Sequence, residues 1–197
     1  MDLFARISQH FQDSVQVKID AAELLAGPIL EATDLMVQSL LGNGKILACG
    51  NGGSAADAQR FAARLSGRFE RERPELAALA LGADSALLTS LSCDHDFSQV
   101  FAKQVRALGQ PHDVLLVLCT SGESPNIIEA VTAAHERDMR VIALTGKGGG
   151  ELAQRLRDTD VHVCVPSDRA ARIEETHVLA IHCLCDGIDC MLMGEEI

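Results

Sequence analysis

The sequence contains no tryptophan and no tyrosine, and its aromatic residues are six phenylalanines. Proteins that bind single-stranded nucleic acid usually stack bases on aromatic side chains, so this composition disfavours that class. Basic residues are also scarce, because 17 lysines and arginines are outnumbered by 28 aspartates and glutamates, giving a formal net charge of −11. Since neutralising a phosphodiester backbone needs a basic face, we expect no direct nucleic acid partner.

Long apolar runs are also missing from the sequence. A membrane-spanning helix needs about 20 predominantly apolar residues, and no uninterrupted apolar stretch approaches this length. The N-terminal segment MDLFARISQHFQD mixes apolar and polar residues and lacks the apolar core of a signal peptide. We therefore expect a cytoplasmic protein without a membrane partner.

The seven cysteines are an odd number, and most lie among apolar residues. This distribution is typical of reduced thiols in a core and not of a disulfide framework. Cys183 and Cys185 resemble a metal-binding pair, but residues two apart on a helix point to nearly opposite sides. We therefore expect no metal at this pair.

The central feature of the sequence lies in residues 45–69, KILACGNGGSAADAQRFAARLSGRF. The apolar run 46–49 is too short for an independent helix and predicts a buried parallel strand. Gly52 and Gly53 allow the backbone to approach a ligand closely, and Ser54 is predicted to cap the helix that follows. A helix N-terminus attracts anions such as phosphate, although Gly-Gly-Ser is also a common tight connection. Neither GxGxxG nor GxxxxGK[ST] occurs, which disfavours dinucleotide and P-loop sites.

A second strand, turn and helix follows at residues 113–137. The run DVLLVLCT is the most continuous apolar stretch and predicts the central strand; the turn SGESP comes next, and then a predicted helix. The remaining predicted strands cover 76–81, 141–145 and 161–165, and the remaining helices cover 85–91 (capped by Asp84), 97–108, 150–157 and 170 to about 193. This alternation predicts a parallel sheet with helices on both faces. Both Ser/Gly turns follow carboxyl ends of strands, where ligands bind, so we predict a phosphate site there.

An N-terminal helical arm is predicted before this alternating body. Residues 3–25 carry apolar side chains mostly four apart, which is typical of an amphipathic helix. Gly27-Pro28 is predicted to end it, and a second helix is predicted over 29–41. We assign residues 1–33 to the arm and 34–197 to the main domain. The arm contacts another subunit or packs on its own domain, and the sequence leaves both open.

Four motifs identify a family resemblance: GNGGSAADAQ, DVLLVLCTSGESPNIIEA, VIALTGKGGGELA and ARIEETHVLAIHCLCD, in this order. Together they resemble the sugar isomerase (SIS) fold and, more closely, the phosphoheptose isomerase group, which includes the DnaA initiator-associating protein. The resemblance covers nearly the whole chain. It implies an α/β protein, a three-layer αβα sandwich with a five-stranded parallel flavodoxin-like sheet. It also implies a homotetramer with sites for sugar phosphates, of the heptose 7-phosphate class, at subunit contacts.

The resemblance implies a set of sugar-phosphate-binding residues. They are Asn51, Gly52, Gly53, Ser54, Asp94, Cys119, Thr120, Ser121, Ser124 and Glu174. Cys119 stands where the isomerases usually have serine, and Glu123 where they usually have asparagine. A carboxylate beside a phosphate is repulsive unless it turns to solvent, so Glu123 is expected to weaken phosphate binding.

The metal and proton-transfer positions depart from the group. The isomerases carry a histidine and a glutamate four apart where this chain has Arg60 and Arg64, and a glutamine and a histidine where it has Glu174 and His182. These four positions hold zinc in the isomerases. Guanidinium groups stay protonated and offer no lone pair, so the arginines serve neither as metal ligands nor as bases. We therefore expect no cofactor, and arginine–carboxylate pairs involving Glu174 at the former metal site. Any remaining catalysis would fall to Glu174, Glu175 or His182.

Three functional hypotheses follow. The sequence favours a non-catalytic, sugar-phosphate-binding tetrameric scaffold like the DnaA initiator-associating protein, with the replication initiator DnaA as a candidate partner. The alternative is an isomerase that converts sedoheptulose 7-phosphate into a heptose 7-phosphate through an enediol. The third is a regulator of another protein that responds to a sugar phosphate. Only the isomerase needs a base.

Overall fold

The structure, a computed structural model, describes residues 2–194. Its strands are β1 (Ile46–Gly50), β2 (Ala78–Ala80), β3 (Val114–Cys119), β4 (Arg140–Thr145) and β5 (Val161–Cys164). Its α-helices are α1 (Leu3–Leu41), α2 (Gly53–Ser66), α3 (Ser85–Asp94), α4 (Val100–Leu108), α5 (Pro125–Glu136), α6 (Gly150–Arg155) and α7 (Ala170–Met193). Short 3-10 helices, Phe97–Gln99 and Lys147–Gly149, precede α4 and α6.

The strands form one parallel sheet in the order β2-β1-β3-β4-β5. This is the flavodoxin-like order of doubly wound α/β proteins. In the register, Ile46 of β1 lies between Ala78 and Val114, and Cys119 at the end of β3 lies opposite Thr145. Every residue of β1 and β3 is buried, as expected for parallel strands covered on both faces. The predicted sheet and its central strand are confirmed.

Helices cover both faces of the sheet and create two buried clusters. On one face α1, α2 and α7 contribute Met36, Phe61 and Ile181 to the first cluster. On the other face α4, α5 and α6 supply the second cluster, which includes Phe101 and Ile127. The predicted three-layer αβα sandwich is therefore confirmed.

Helix α1 runs without interruption for 39 residues, so the predicted break at Gly27-Pro28 is wrong. A proline inside a helix removes one backbone donor and crowds the preceding turn. However, Leu25 and Ala32, on either side of the proline, are buried in the core cluster with α2 and α7. We infer that this packing offsets the local cost of the proline. The helix also passes through residue 33, where the boundary of the arm was predicted.

Helices α1 and α7 are long and apolar enough to cross a membrane by length and composition, contrary to the expectation from the sequence. Core helices of globular proteins meet the same criteria. Met36 of α1 and Ile181 of α7 are fully buried in the cluster beneath the sheet. The apolar residues of these helices therefore serve in part as core.

Of the two predicted helix caps, Ser54 and Asp84, the first is wrong and the second is confirmed. Ser54 does not cap α2, because the helix already begins at Gly53 and Gly52 is its N-cap residue. Asp84 caps α3 as predicted, since its Oδ1 accepts a hydrogen bond of 3.0 Å from the backbone N–H of Leu87. A glycine with a positive φ starts the helix in the first case, and a side-chain acceptor does so in the second.

Candidate functional site

The first Ser/Gly turn connects β1 to α2 at the carboxyl edge of the sheet. Gly52 adopts a positive φ of 55°. A Cβ on Gly50 would lie 2.7 Å from the Cβ of Ser54, so this close approach requires glycine. The first N–H groups of a helix have no intrahelical acceptor, and here they belong to Gly53 and Ser54. The turn therefore presents backbone donors and the positive end of the α2 dipole to a ligand.

The second turn connects β3 to α5. Its Ser124 is the N-cap residue of α5, and Pro125 occupies the first turn of that helix. The Ser124 side chain does not cap the helix; instead its Oγ accepts a hydrogen bond of 3.3 Å from the thiol of Cys119. The Ser121 Oγ lies 3.8 Å from the same sulfur and accepts from the backbone N–H of Glu123 at 3.2 Å. The predicted residues Cys119, Ser121 and Ser124 thus lie together.

The thiol of Cys119 is affected by the hydrogen-bonding groups of this turn. Burial by itself would raise its pKa, but hydrogen bonds with Ser124, Ser121 and the backbone of Gly122 outweigh burial and lower the pKa below its ordinary value. These hydrogen bonds lower the pKa because they stabilise the negatively charged thiolate. The same hydroxyl and backbone groups therefore suit an anionic ligand.

Asn51 and Asn126 join the two turns. The Asn51 Nδ2 donates to the Asn126 Oδ1 at 2.9 Å, and the Asn126 Nδ2 donates to the Asn51 Oδ1 at 2.8 Å. Asn126 is buried. Asn126 was not among the predicted binding residues. Its only local signal in the sequence is its position after Ser-Pro at the start of a predicted helix. This amide pair fixes the first turn beside the N-terminus of α5.

Glu123 is exposed, as its expected turn to solvent requires, and its carboxylate is also held by another part of the protein. Its Oε1 accepts a hydrogen bond of 3.0 Å from the backbone N–H of Glu151 in the first turn of α6. A carboxylate at this position satisfies a donor that the helix itself leaves free. The charge of Glu123 is therefore directed to α6, which reduces the repulsion expected toward a bound phosphate.

The second turn is also held against the loop that precedes α6. Gly122 has a φ of 69°, and its carbonyl accepts a hydrogen bond of 2.9 Å from the N–H of Leu152. A Cβ on Gly122 would lie 1.9 Å from the carbonyl oxygen of Gly149. The backbone of this turn is thereby fixed before a ligand binds.

Helices α2 and α7 bring together Arg60, Arg64 and His182, three of the four positions that hold zinc in the isomerases, but with different contacts from those predicted. Arg60 pairs with Asp57, with 3.3 Å between Nη1 and Oδ1. Arg64 stacks on Phe69, its Cζ lying 5.1 Å from the ring centroid. The ring of His182 lies 5.7 Å from the same phenylalanine ring. We call Asp57, Arg60, Arg64, Phe69 and His182 the α2–α7 cluster.

Glu174 lies outside this cluster, so the predicted arginine–Glu174 pairs are wrong for the described chain. Its Cδ would lie 3.9 Å from a Cβ built on Gly53, which places the side chain beside the first turn. Glu174 is exposed, and within residues 2–194 it forms no ion pair and no side-chain hydrogen bond. Its carboxylate is therefore free to contact a ligand at the turn.

Charges within the cluster act on its titratable groups. Burial lowers the pKa of His182, and the positive charges of Arg64 and Arg60 lower it further against the opposing effects of Glu70 and Asp57. Burial raises the pKa of Asp57, and the two arginines and His182 partly oppose this effect. His182 is consequently neutral at neutral pH.

The residues at the family's zinc positions do not fit a zinc ion. Arg60 and Arg64 have no lone pair for a metal and carry a positive charge. Across residues 2–194, no three histidine, cysteine, aspartate or glutamate side chains form a group suited to a metal. His182 and Glu174 alone would leave half of a tetrahedral shell unfilled.

The two remaining predicted binding residues, Thr120 and Asp94, differ in their relation to the turns. Thr120 is half-buried and directly follows β3 at the second turn. Asp94 is exposed at the end of α3 and makes no ion pair or hydrogen bond through its side chain within the described chain. The structure thus groups Thr120 with the second turn and shows no contact of Asp94 with either turn.

Comparisons with known proteins bear on this site. The model of the SIS domain matches residues 10–146. A phosphoheptose isomerase from Azoarcus sp. (strain BH72) is 64% identical over 196 residues, covering 100% of both chains. The structure of phosphoheptose isomerase GmhA from Neisseria gonorrhoeae superimposes with a TM-score of 0.91 at 54% identity, covering 95% of this chain and 99% of that one. A phosphoheptose isomerase structure from Francisella tularensis gives 0.94 at 48% identity, with coverage of 96% and 99%.

Proposed function

Because the chain belongs to the SIS-domain family, in the group of the phosphoheptose isomerases, we propose that it interconverts sedoheptulose 7-phosphate and an aldose heptose 7-phosphate. The observation that carries this proposal is the pairing of two Ser/Gly turns through Asn51 and Asn126, in a chain similar along its full length to these isomerases. The similarity favours the isomerase over the non-catalytic scaffold that the sequence argument preferred.

In this proposal the phosphate of the sugar binds between the two turns. Hydroxyl groups of Thr120, Ser121 and Ser124 and backbone donors at the starts of α2 and α5 supply its hydrogen bonds. The thiol of Cys119 orients the Ser124 hydroxyl by donating to it. The net charge of the whole chain is negative, so local donors and not a long-range field must provide the affinity.

The reaction moves one proton between two neighbouring carbons of the sugar. A general base for this transfer contributes roughly 10²–10⁴ in rate. Glu174 is our candidate, because its carboxylate lies beside Gly53 and is unpaired within the described chain. His182, neutral and eight residues further along α7, is the second candidate for proton transfer.

Incubation of the purified protein with sedoheptulose 7-phosphate, followed by NMR for the aldose product, tests the proposal directly. Parallel samples contain zinc or a chelator. We expect aldose formation in the unmodified protein, and its loss in a Ser121→Ala/Ser124→Ala variant. Thr159→Ala is the matched control, since Thr159 is an exposed hydroxyl residue just before β5, away from the carboxyl edge. Absence of aldose under all conditions would overturn the isomerase proposal.

A non-catalytic scaffold is the second candidate, and Arg60 and Arg64 are the specific observation that favours it. These residues remove two metal ligands and offer no base. This candidate expects sedoheptulose 7-phosphate to raise the melting temperature without being converted, whereas unphosphorylated sedoheptulose has no effect. Its partner would be a protein such as the replication initiator DnaA, and binding of purified DnaA to the immobilised protein is the test.

Both candidates include a cytoplasmic homotetramer. The N-terminal part of α1 leaves large apolar side chains exposed, with Phe4 at 77% and Phe11 at 72% of their full exposure. An apolar stripe of this kind is typical of a surface that another subunit covers. Light scattering at micromolar concentration should give four times the 21.0 kDa chain mass. A stable monomer would contradict the assembly.

A further inference from the structure

Arg64 is a cation whose hydrogen-bonding capacity is not used within residues 2–194. Its side chain forms no ion pair there, and its Nη1 is buried without a hydrogen-bond partner. Stacking on Phe69 holds the guanidinium plane but leaves its N–H groups free. A buried donor of this kind usually has an acceptor, so the arrangement suits an anionic group that Arg64 would bind.

The neighbouring groups add a second unsatisfied nitrogen and little compensating negative charge. The Nε2 of His182 is also buried without a partner. Asp57 is engaged with Arg60, and Glu70 is the other carboxylate whose charge acts on His182. The cluster therefore holds two guanidinium groups and a neutral imidazole, with one directly paired carboxylate.

The packing of α2 against α7 sets the position of the cluster relative to the two Ser/Gly turns, where the phosphate is proposed to bind. Glu174 lies beside Gly53 at the start of α2, and His182, two turns further along α7, lies near Arg60 and Arg64. Arg60 follows Gly53 by seven residues, a rise of about 10 Å along the helix. A sugar phosphate held at the turns would therefore extend along α2 toward Arg60.

We propose that Arg60 and Arg64 form an oxyanion site that takes over the role of the metal. This inference rests on the proposed function. Its ligands are sugar phosphates that carry negative charge on oxygen at the end opposite to the phosphate: the enediolate intermediate of the isomerisation, and stable aldonic acid phosphates that resemble it. Guanidinium groups suit such oxygens because they donate charge-assisted, forked hydrogen bonds.

The reaction step balances without a metal or an oxidant. His182, the candidate for proton transfer that lies beside the arginines, removes a proton from C1 of the ketose. The C–H electron pair forms the C1–C2 double bond, and the carbonyl electrons move to the oxygen on C2. The arginines stabilise this negative oxygen. The proton then returns to C2, the hydroxyl proton on the C1 oxygen moves to the C2 oxygen, and the carbonyl forms at C1.

Calorimetric binding of two matched ligands tests the oxyanion site without relying on turnover. Gluconate 6-phosphate carries a carboxylate where sorbitol 6-phosphate carries a hydroxymethyl group. We expect the acid to bind at least about 10-fold more tightly, which corresponds to about 1.4 kcal/mol. Arg60→Gln and Arg64→Gln should each reduce this preference and leave sorbitol 6-phosphate binding unchanged. Arg106→Gln is the matched control and should keep the preference, because it removes a half-buried arginine of α4 that pairs with Glu136 of α5, outside the cluster.

The outcomes separate this inference from the proposed function. Equal affinities for the two ligands would overturn the oxyanion site and leave the phosphate site intact. Failure of both ligands, and of sedoheptulose 7-phosphate, to bind would overturn the proposed function and the oxyanion site with it. If Arg64→Gln does not fold, Arg64→Lys keeps the charge and loses the forked donors, and it should retain only part of the preference. An unchanged preference in Arg64→Lys and Arg60→Gln would also overturn the site.

Discussion

The first Ser/Gly turn and the α2–α7 cluster both lie on helix α2, but the two Ser/Gly turns follow the residue pattern of the phosphoheptose isomerases more closely than the cluster does. Asn51, Ser121 and Ser124 keep the residue types expected for binding a phosphate, and the structure brings them together. Arg60 and Arg64 replace a metal-binding histidine and a glutamate with cations. If the proposed function holds, the comparison predicts that the two turns bind the sugar phosphate as in the isomerases, while the chemistry at the other end of the ligand differs.

The largest expected effect is on zinc binding, when the α2–α7 cluster is given the residues that the isomerases have at the zinc positions. Arg60→His, Arg64→Glu and Glu174→Gln together restore, with His182, four side chains that can ligate zinc. We expect the unmodified protein to purify without stoichiometric zinc and the triple variant to hold one zinc per subunit by elemental analysis. Isomerase activity of the triple variant should then depend on the bound zinc and be lost on chelation, whereas activity of the unmodified protein should not. One chelator-removable zinc per subunit in the unmodified protein would contradict this prediction.

A glycine substitution tests whether the second turn must keep its present backbone. Gly122→Ala places a Cβ 1.9 Å from the Gly149 carbonyl oxygen at a positive φ, so it requires backbone displacement. We expect a loss of about 3 kcal/mol or more in the free energy of unfolding, measured with urea, and loss of sugar phosphate binding. Gly148→Ala is the control, because its φ of 73° is similar but no atom lies within 4 Å of the added Cβ. Equal losses for the two variants would show that φ alone, and not contact with the α6 loop, is responsible.

The stability of the protein should depend on pH through His177, which is buried on α7, the helix that carries His182 of the cluster. Burial lowers the pKa of His177 to about 4, although its hydrogen bond to the Thr145 carbonyl partly opposes this. A pKa lower in the folded than in the unfolded state stabilises the protein above the unfolded value, near 6.5, and this stability is lost as pH falls toward 4. We expect about 3 kcal/mol to be lost from pH 7 to pH 4 through this residue. Urea unfolding of His177→Gln should show a smaller loss over the same range.

The smallest expected effect concerns Glu123 and its repulsion of phosphate. Glu123→Ala removes the acceptor of the Glu151 N–H, so we expect a loss of about 1 kcal/mol in the free energy of unfolding. Sugar phosphate binding should tighten by less than 10-fold, since the carboxylate already points to α6. Glu151→Gln, which alters an exposed ion pair with Arg155, is the control and should change neither quantity measurably. A large gain in affinity for Glu123→Ala would show that Glu123 does face the ligand.

The sequence by itself determined the layered α/β fold, the parallel sheet and the two turns at its carboxyl edge. These features depend on local signals, because apolar runs such as that of β3 and glycine-rich turns specify strands and helix starts over a few residues. Resemblance to a family added the positions expected to hold zinc and those expected to bind the sugar phosphate. That Arg60 and Arg64 do not suit a metal then follows from their chemistry, since a guanidinium group lacks a lone pair in any fold.

Only the tertiary structure decided which contacts the polar side chains make and whether Pro28 interrupts its helix. Pro28 stays inside α1 because residues far along the chain bury Leu25 and Ala32 on either side of the proline. Glu123 bonds to the start of α6, 28 positions further along the chain. Arg60 pairs with Asp57, three residues away on the same helix, and the packing of α7 on α2 places Glu174 at the first turn and not at the arginines. Asn126 joins Asn51 across 75 positions. A side-chain hydrogen bond needs two atoms within about 3 Å, and for residues this far apart only the packing of the helices on the sheet sets that distance.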